Sequence, residues 1–311
     1  MVATTAVPSV SPAIPRDFPD PAVLAVGNTY YAYSTASPYG NRLFHVPVQS
    51  STSLTGGWGS AKDAMPDLPS WVAKAAGHSV WAPEVAARSD GTYLLYFTAR
   101  SATQNAQCIG AATASSPTGP FRSVGTAPLV CHPAENDSID PKPFTDTDGT
   151  QYLLYSSGRG NATIWLQQMT ADGTRTVGTR RALIKADRTD EAHIVEAPTL
   201  IKHGSRYVLF YSGNAYTSGS YFVNYASATS LTGAFTKHAG QFLNKATIGG
   251  KYKNPGGQDV VPGAKRDYLV FHAFTAPTAR SLFVVGLSWD DNDNPTLDED
   301  DVALTDMGEK Q

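Results

Sequence analysis

One short phrase is written four times along this chain, and no other feature narrows its fold as far. Asp20-Pro21 runs through Gly27-Asn28 to Tyr30-Tyr31-Ala32-Tyr33, and Trp81-Ala82-Pro83-Glu84 runs through Asp90-Gly91 to Tyr93-Leu94-Leu95-Tyr96. Asp140-Pro141 runs through Asp148-Gly149 to Tyr152-Leu153-Leu154-Tyr155. Glu196-Ala197-Pro198 runs through Gly204 to Tyr207-Val208-Leu209-Phe210-Tyr211. The prolines fall at 21, 83, 141 and 198, a period of 62, 58 and 57 residues. A fifth, weaker copy is Gly256-Gly257-Gln258-Asp259, leading through Gly263 to Tyr268-Leu269-Val270-Phe271-His272. Repeats of this length, with several short strands in each, predict the blades of a β-propeller, since a lone blade cannot bury its faces and must pack in a ring. The expected fold is all-β, a five-bladed β-propeller.

The 311 residues are long for an average domain but suit one propeller, and no break in the repeat calls for a second domain. Residues 1–15 read as a flexible lead-in, and 16–311 as a single propeller. Met1 to Ile14 lacks a charged start and a continuous apolar core, so no secretory signal is visible there. A net charge of −3, with no basic cluster beyond Thr179-Arg180-Arg181, argues against nucleic acid or an anionic membrane as partner. No stretch approaches the roughly 18 apolar residues of a membrane span. The expected state is a monomer. From Asp290 onward the chain is acidic and reads as a solvated tail, because its spacing fits no EF-hand loop. The two cysteines, Cys108 and Cys131, flank the Ser115–Pro120 turn. A disulfide there would contribute about 3 kcal/mol through loop closure. Two buried thiols fit the spacing equally well, and the compartment decides between them.

The innermost strand of a blade begins at the propeller axis, so Asp20, Asp140 and Glu196 are expected to converge on one axial pocket. Two carboxyls flanking a glycosidic bond can supply every proton transfer that hydrolysis needs, one protonated and one ionised. A third acid nearby is a natural tuner, because like charges raise the pKa of a neighbour. The same acids would also serve a pocket that only binds sugar hydroxyls, and Asp-Pro is a common turn starter with no chemical role.

Phe18-Pro19-Asp20-Pro21, Trp81-Ala82-Pro83-Glu84-Val85, Ile139-Asp140-Pro141 with Asp148-Gly149, and Val195-Glu196-Ala197-Pro198 resemble glycoside hydrolase family 43. The resemblance runs from about residue 16 to 290. It implies a five-bladed propeller acting on arabinose- and xylose-containing polysaccharides with inversion. Carried onto this chain, it makes Asp20 the general base, Glu196 the general acid, and Asp140 the residue that orients Glu196 and raises its pKa. Inversion would set the two working carboxyls about 6.5–9.5 Å apart, with room for a water.

Where several members carry a Gly-His pair, this chain reads Gly256-Gly257-Gln258-Asp259, a wording closer to the exo-acting arabinofuranosidases. The expected activity is therefore release of L-arabinofuranosyl units from arabinan or arabinoxylan by a secreted enzyme, with compartment inferred from substrate. β-Xylosidase, endo-arabinanase and a sugar-binding propeller are the alternatives. No cofactor is required on this view. His272 is the axial candidate to approach a structural Ca2+ or a bound water, and it would equally serve as an ordinary core residue. Trp81, Phe18, His78, Gln258 and His272 are the expected sugar contacts, each with a packing role as its alternative.

Overall fold

Each repeated phrase opens a four-stranded antiparallel sheet in the computed structural model, which describes residues 10–74, 79–158 and 160–298. Blade one is Ala22–Val26, Thr29–Tyr33, Pro47–Ser51 and Lys62–Asp63. Blade two is Trp81–Ala87, Tyr93–Arg100, Gln107–Ala114 and Arg122–Ser123. Blade three is Ser138–Thr145, Gln151–Ser157, Thr163–Met169 and Thr176–Lys185. Blade four is Val195–His203, Arg206–Gly213, Phe222–Ala228 and Thr236–Lys237. Blade five is Lys253–Val261, Asp267–Ala276, Ala279–Trp289 and Pro295–Leu297. The five innermost strands touch one another in ring order, and the first meets the last. The chain is an all-β, five-bladed propeller.

The second strand of each blade is apolar on both faces because both faces are covered. In Tyr93–Arg100, Leu95 and Phe97 pack with Tyr33 and Val48 of blade one. Leu94 and Tyr96, pointing the other way, pack with Leu153 and Tyr155 of blade three. Side chains alternate along a strand, so one residue in two serves each neighbour. The core is thus a set of wedges between blades. Cys108 in the third strand of blade two is disulfide-bonded to Cys131 in the segment leading to blade three.

No blade borrows a strand from another, so the ring closes by packing and by the segment before blade one. Ala13 N–H donates to Leu282 O at 2.8 Å, and Phe18 N–H to Arg280 O at 2.6 Å. Asp17 accepts the Arg280 N–H at 3.0 Å and the Ser37 hydroxyl at 2.9 Å. Val10 and Ile14 are buried, which corrects the expected lead-in: from residue 10 the chain is docked on blade five. The expected tail is corrected as well. Pro295–Leu297 forms the outer strand of blade five, paired with Leu287–Trp289. Residues 1–9 of the lead-in, the end of the tail and the expected sugar contact His78 lie outside the described residues.

Candidate active site

The same irregularity opens every innermost strand. Asp20, Ala82, Asp140, Ala197 and Gly257 have φ of 51°, 41°, 55°, 49° and 58°, all in the left-handed region. In blades two to five the ladder is interrupted there, between Trp81 and Glu84, Ile139 and Lys142, Glu196 and Thr199, and Gly256 and Asp259. A proline that follows has no N–H to lose, so it suits the interruption. Left-handed backbone is costly for a residue with a Cβ, and such strain gathers where a side chain must be aimed. Only glycine fits at 257, since a Cβ there would lie 2.6 Å from His272 and 2.9 Å from Asp20 Oδ1.

This register refines the placement of the acids. Asp20 and Asp140 occupy the left-handed position itself, whereas Glu196 stands one residue before it, matching Trp81 of blade two. The longer glutamate side chain makes up part of that offset.

Bonds within and between blades hold the three acids. Asp140 Oδ2 accepts the Ala197 N–H at 3.0 Å, and the Asp140 N–H donates to Thr98 Oγ1 at 3.1 Å. Asp20 Oδ2 accepts the Thr35 hydroxyl at 2.6 Å, and its Oδ1 accepts from Arg280 at 3.3 Å. Glu196 Oε1 accepts the hydroxyl of Tyr221 at 2.8 Å.

Their electrostatic settings differ. Burial opposes charge on Asp20, but the Arg280 guanidinium, with the Thr35 hydroxyl behind it, holds its carboxyl well below the usual carboxylate range. Glu196 is raised to about 7 by burial, with the Tyr221 hydrogen bond pulling down and the charge of Asp20 pushing up. Asp140 is raised well above the ordinary range by burial, then by the charges of Glu196 and Asp20. Near neutral pH the pocket therefore holds one firmly ionised carboxylate and two carboxyls that retain protons readily.

Of the expected sugar contacts among the described residues, Trp81 alone reaches the surface: it is 36% exposed. It lines a cavity of about 390 Å³ beside Glu196, with Ile139, Ser157, Ala162 and His193. His193, which the sequence left unmarked, has φ 67° on a loop held by the buried Glu191. That carboxylate accepts the N–H groups of Asp187 and Arg188, the Tyr211 hydroxyl and the Lys237 ammonium.

Phe18, Gln258 and His272 are corrections. Phe18 is fully buried among Ile14, Ala32 and Leu282, so it is core. Gln258 is 4% exposed, and its amide is committed within the protein. Its Nε2 donates to Ala197 O at 2.6 Å and its Oε1 accepts from Ser212 at 2.8 Å, bracing the residue after Glu196. His272 is fully buried beneath Asp20, and its Nδ1 accepts the Asp20 N–H at 3.0 Å. Burial and Arg280 lower its pKa, so the ring is neutral and its hydrogen falls on Nε2. That atom has no protein partner and presents an N–H. In this tautomer Nε2 offers a hydrogen to a water oxygen.

Arg280 and Tyr221 carry no motif. Both lie on third strands, or just before one, and enter the pocket only because the blades pack as they do. Gly256 makes room for Tyr221, whose ring a Cβ would meet at 2.0 Å.

Comparison with known proteins agrees with this fold. An endo-α-(1→5)-L-arabinanase 1 described as extracellular, from Bacillus subtilis strain 168, is 26% identical over 287 residues, covering 87% of this chain and 84% of that protein. An exo-α-(1→5)-L-arabinofuranosidase, also described as extracellular, from Streptomyces avermitilis is 24% identical and covers 81% of this chain and 54% of its own length. The solved structure of an endo-1,4-β-xylanase from Bacteroides thetaiotaomicron VPI-5482 is 27% identical with a TM-score of 0.78, covering 93% of this chain and 97% of that one. The family pattern described as Glycosyl hydrolases family 43 matches residues 10–295. With all but the last two strand residues of the ring inside that match, the chain belongs to glycosyl hydrolases family 43.

Proposed function

We propose that this chain is a secreted, inverting hydrolase that releases L-arabinofuranosyl units from arabinan or arabinose-bearing side chains. Glu196 protonates the departing glycosidic oxygen, Asp20 takes a proton from the water that attacks the opposite face, and Asp140 keeps Glu196 protonated and oriented. The observation that carries this reading is the opposite setting of two carboxyls in one pocket: Arg280 holds Asp20 ionised, while burial raises Glu196 to about 7. A pocket that only bound sugar would gain nothing from that division. Arabinan as substrate and the extracellular compartment are supported by the names of the Bacillus and Streptomyces relatives.

Endo cleavage is the second reading. It is favoured by the cavity of about 390 Å³ beside Glu196, which leaves space for sugar beyond the scissile bond. Hydrolysis of nitrophenyl α-L-arabinofuranoside, nitrophenyl β-D-xyloside and linear arabinan, with sizing of early products, separates these readings. Arabinose as the first product from arabinan supports exo action, and a ladder of oligosaccharides supports the endo reading. Xylose release alone would reject arabinose specificity. Binding of arabino-oligosaccharides without hydrolysis would reject the enzyme.

A further inference from the structure

The residue after each proline, or after Gln258 in blade five, forms a ring one step along the axis from the acids: Ala22, Glu84, Lys142, Thr199 and Asp259. Three of the five are ionisable, and they meet. Lys142 Nζ donates to Glu84 Oε2 at 2.9 Å and to Asp259 Oδ1, joining blades two, three and five. The lysine side chain is 13% exposed, that of Glu84 15% and that of Asp259 3%. Asp259 also accepts the N–H groups of Val23 at 3.0 Å and Val260 at 2.7 Å, so its oxygens are fully engaged. Thr199 donates to Gln258 O at 2.9 Å.

A cation on the axis of a propeller whose inner strands carry acids would lower their mutual repulsion and tie the blades together. Calcium would need about six to eight oxygen ligands. Here the carboxylates that could supply them are already bonded to an ammonium. The space left on the axis, lined by Asp20, Glu84, Asp140 and Gly257, is about 20 Å³. That is room for one water.

We propose that the Lys142 ammonium is the resident cation of this propeller axis, holding Glu84 and Asp259 in place of a divalent metal. The lysine stays charged: burial works against it, but Asp259 and Glu84 outweigh burial and raise its pKa. Glu84 is raised to about 8 by burial, with Lys142 opposing and Asp259 adding.

The test is thermal melting of the purified protein with excess EDTA, and then with millimolar CaCl2, beside the variants Lys142→Met and Lys142→Met/Asp259→Asn. The wild type should melt at the same temperature in EDTA and in CaCl2. K142M should melt about 5–10 °C lower, because Asp259 and Glu84 lose the ammonium that holds them. Adding Asp259→Asn, which removes a carboxylate from the site left without its cation, should shrink that deficit by more than half. An undiminished deficit in the double variant would mean lost packing alone and would overturn the proposal, as would no deficit in K142M. A drop in the wild-type melting temperature on EDTA would show that a metal is needed. If K142M does not fold, that EDTA comparison alone decides.

Discussion

Asp140 Oδ2 accepts the backbone N–H of Ala197 across 3.0 Å, so a carboxyl from blade three holds the residue that follows Glu196 in blade four. The bond does two things at once. It fixes the aim of Glu196 through the backbone, and it brings a second raised acid close to it. Tyr221 reaches the same glutamate from just before the third strand of blade four, with its ring stacked at 6.0 Å on His272. His272 in turn holds the backbone of Asp20. The two working carboxyls are thus linked through one buried pair of rings.

Asp140→Asn keeps an oxygen to accept the Ala197 N–H and removes a carboxyl that holds its proton near neutral pH. What is lost is the exact aim of Glu196, so kcat at neutral pH should fall about 10–100-fold with KM changed far less. Steady-state kinetics on arabinan at pH 7 check both.

Tyr221→Phe should move the alkaline limb of kcat/KM. A donor to a carboxylate favours its ionised form, so losing the hydroxyl raises Glu196 above about 7. The limb should shift up by up to about one unit, with kcat lower by about 10-fold as the acid loses its anchor.

Arg280→Met acts on the acid limb. The guanidinium is the largest influence holding Asp20 ionised against burial. Without it the Asp20 carboxyl rises toward, or past, the ordinary carboxylate range, and the acid limb of kcat/KM should rise by about one to two units. The alkaline limb should move far less, which separates this variant from general damage.

Glu196→Gln should change stability with a definite sign. The folded pKa of about 7 lies above the ordinary 4.5, so between those values the folded chain binds a proton that the unfolded chain has lost. Ionising this glutamate therefore lowers stability progressively as pH rises through that window. E196Q escapes the loss and should melt a few degrees above wild type at pH 8, with no advantage at pH 4. Melting curves at the two pH values check it.

The ring of blades was legible because the proline phrase is local: it marks an interrupted strand opening that each blade must make on its own. Blade three begins at Ser138 and ends at Lys185, as its turn residues imply. What escaped the sequence was contact between blades. Arg280 and Tyr221 enter the pocket from neighbouring strands with no motif to announce them, and Lys142 reads as an ordinary charge until the ring closes around it. Phe18 misled because nearness to Asp20 in sequence says nothing about facing: it precedes the first strand and packs with Ile14, Ala32 and Leu282. The strand at Pro295–Leu297 was hidden by the acids around it, although Asp290 and Asp293 serve as turn anchors. Asp290 accepts the Asn292 and Asn294 N–H groups, and Asp293 accepts that of Ser205.

The anomeric form of the first sugar released tests the central claim most directly. Proton NMR of wild-type enzyme on an α-L-arabinofuranoside, recorded before mutarotation, should show β-L-arabinofuranose appearing first, as attack by a water held at Asp20 on the face opposite Glu196 requires. Initial release of the α-anomer would contradict that division of roles between the two carboxyls.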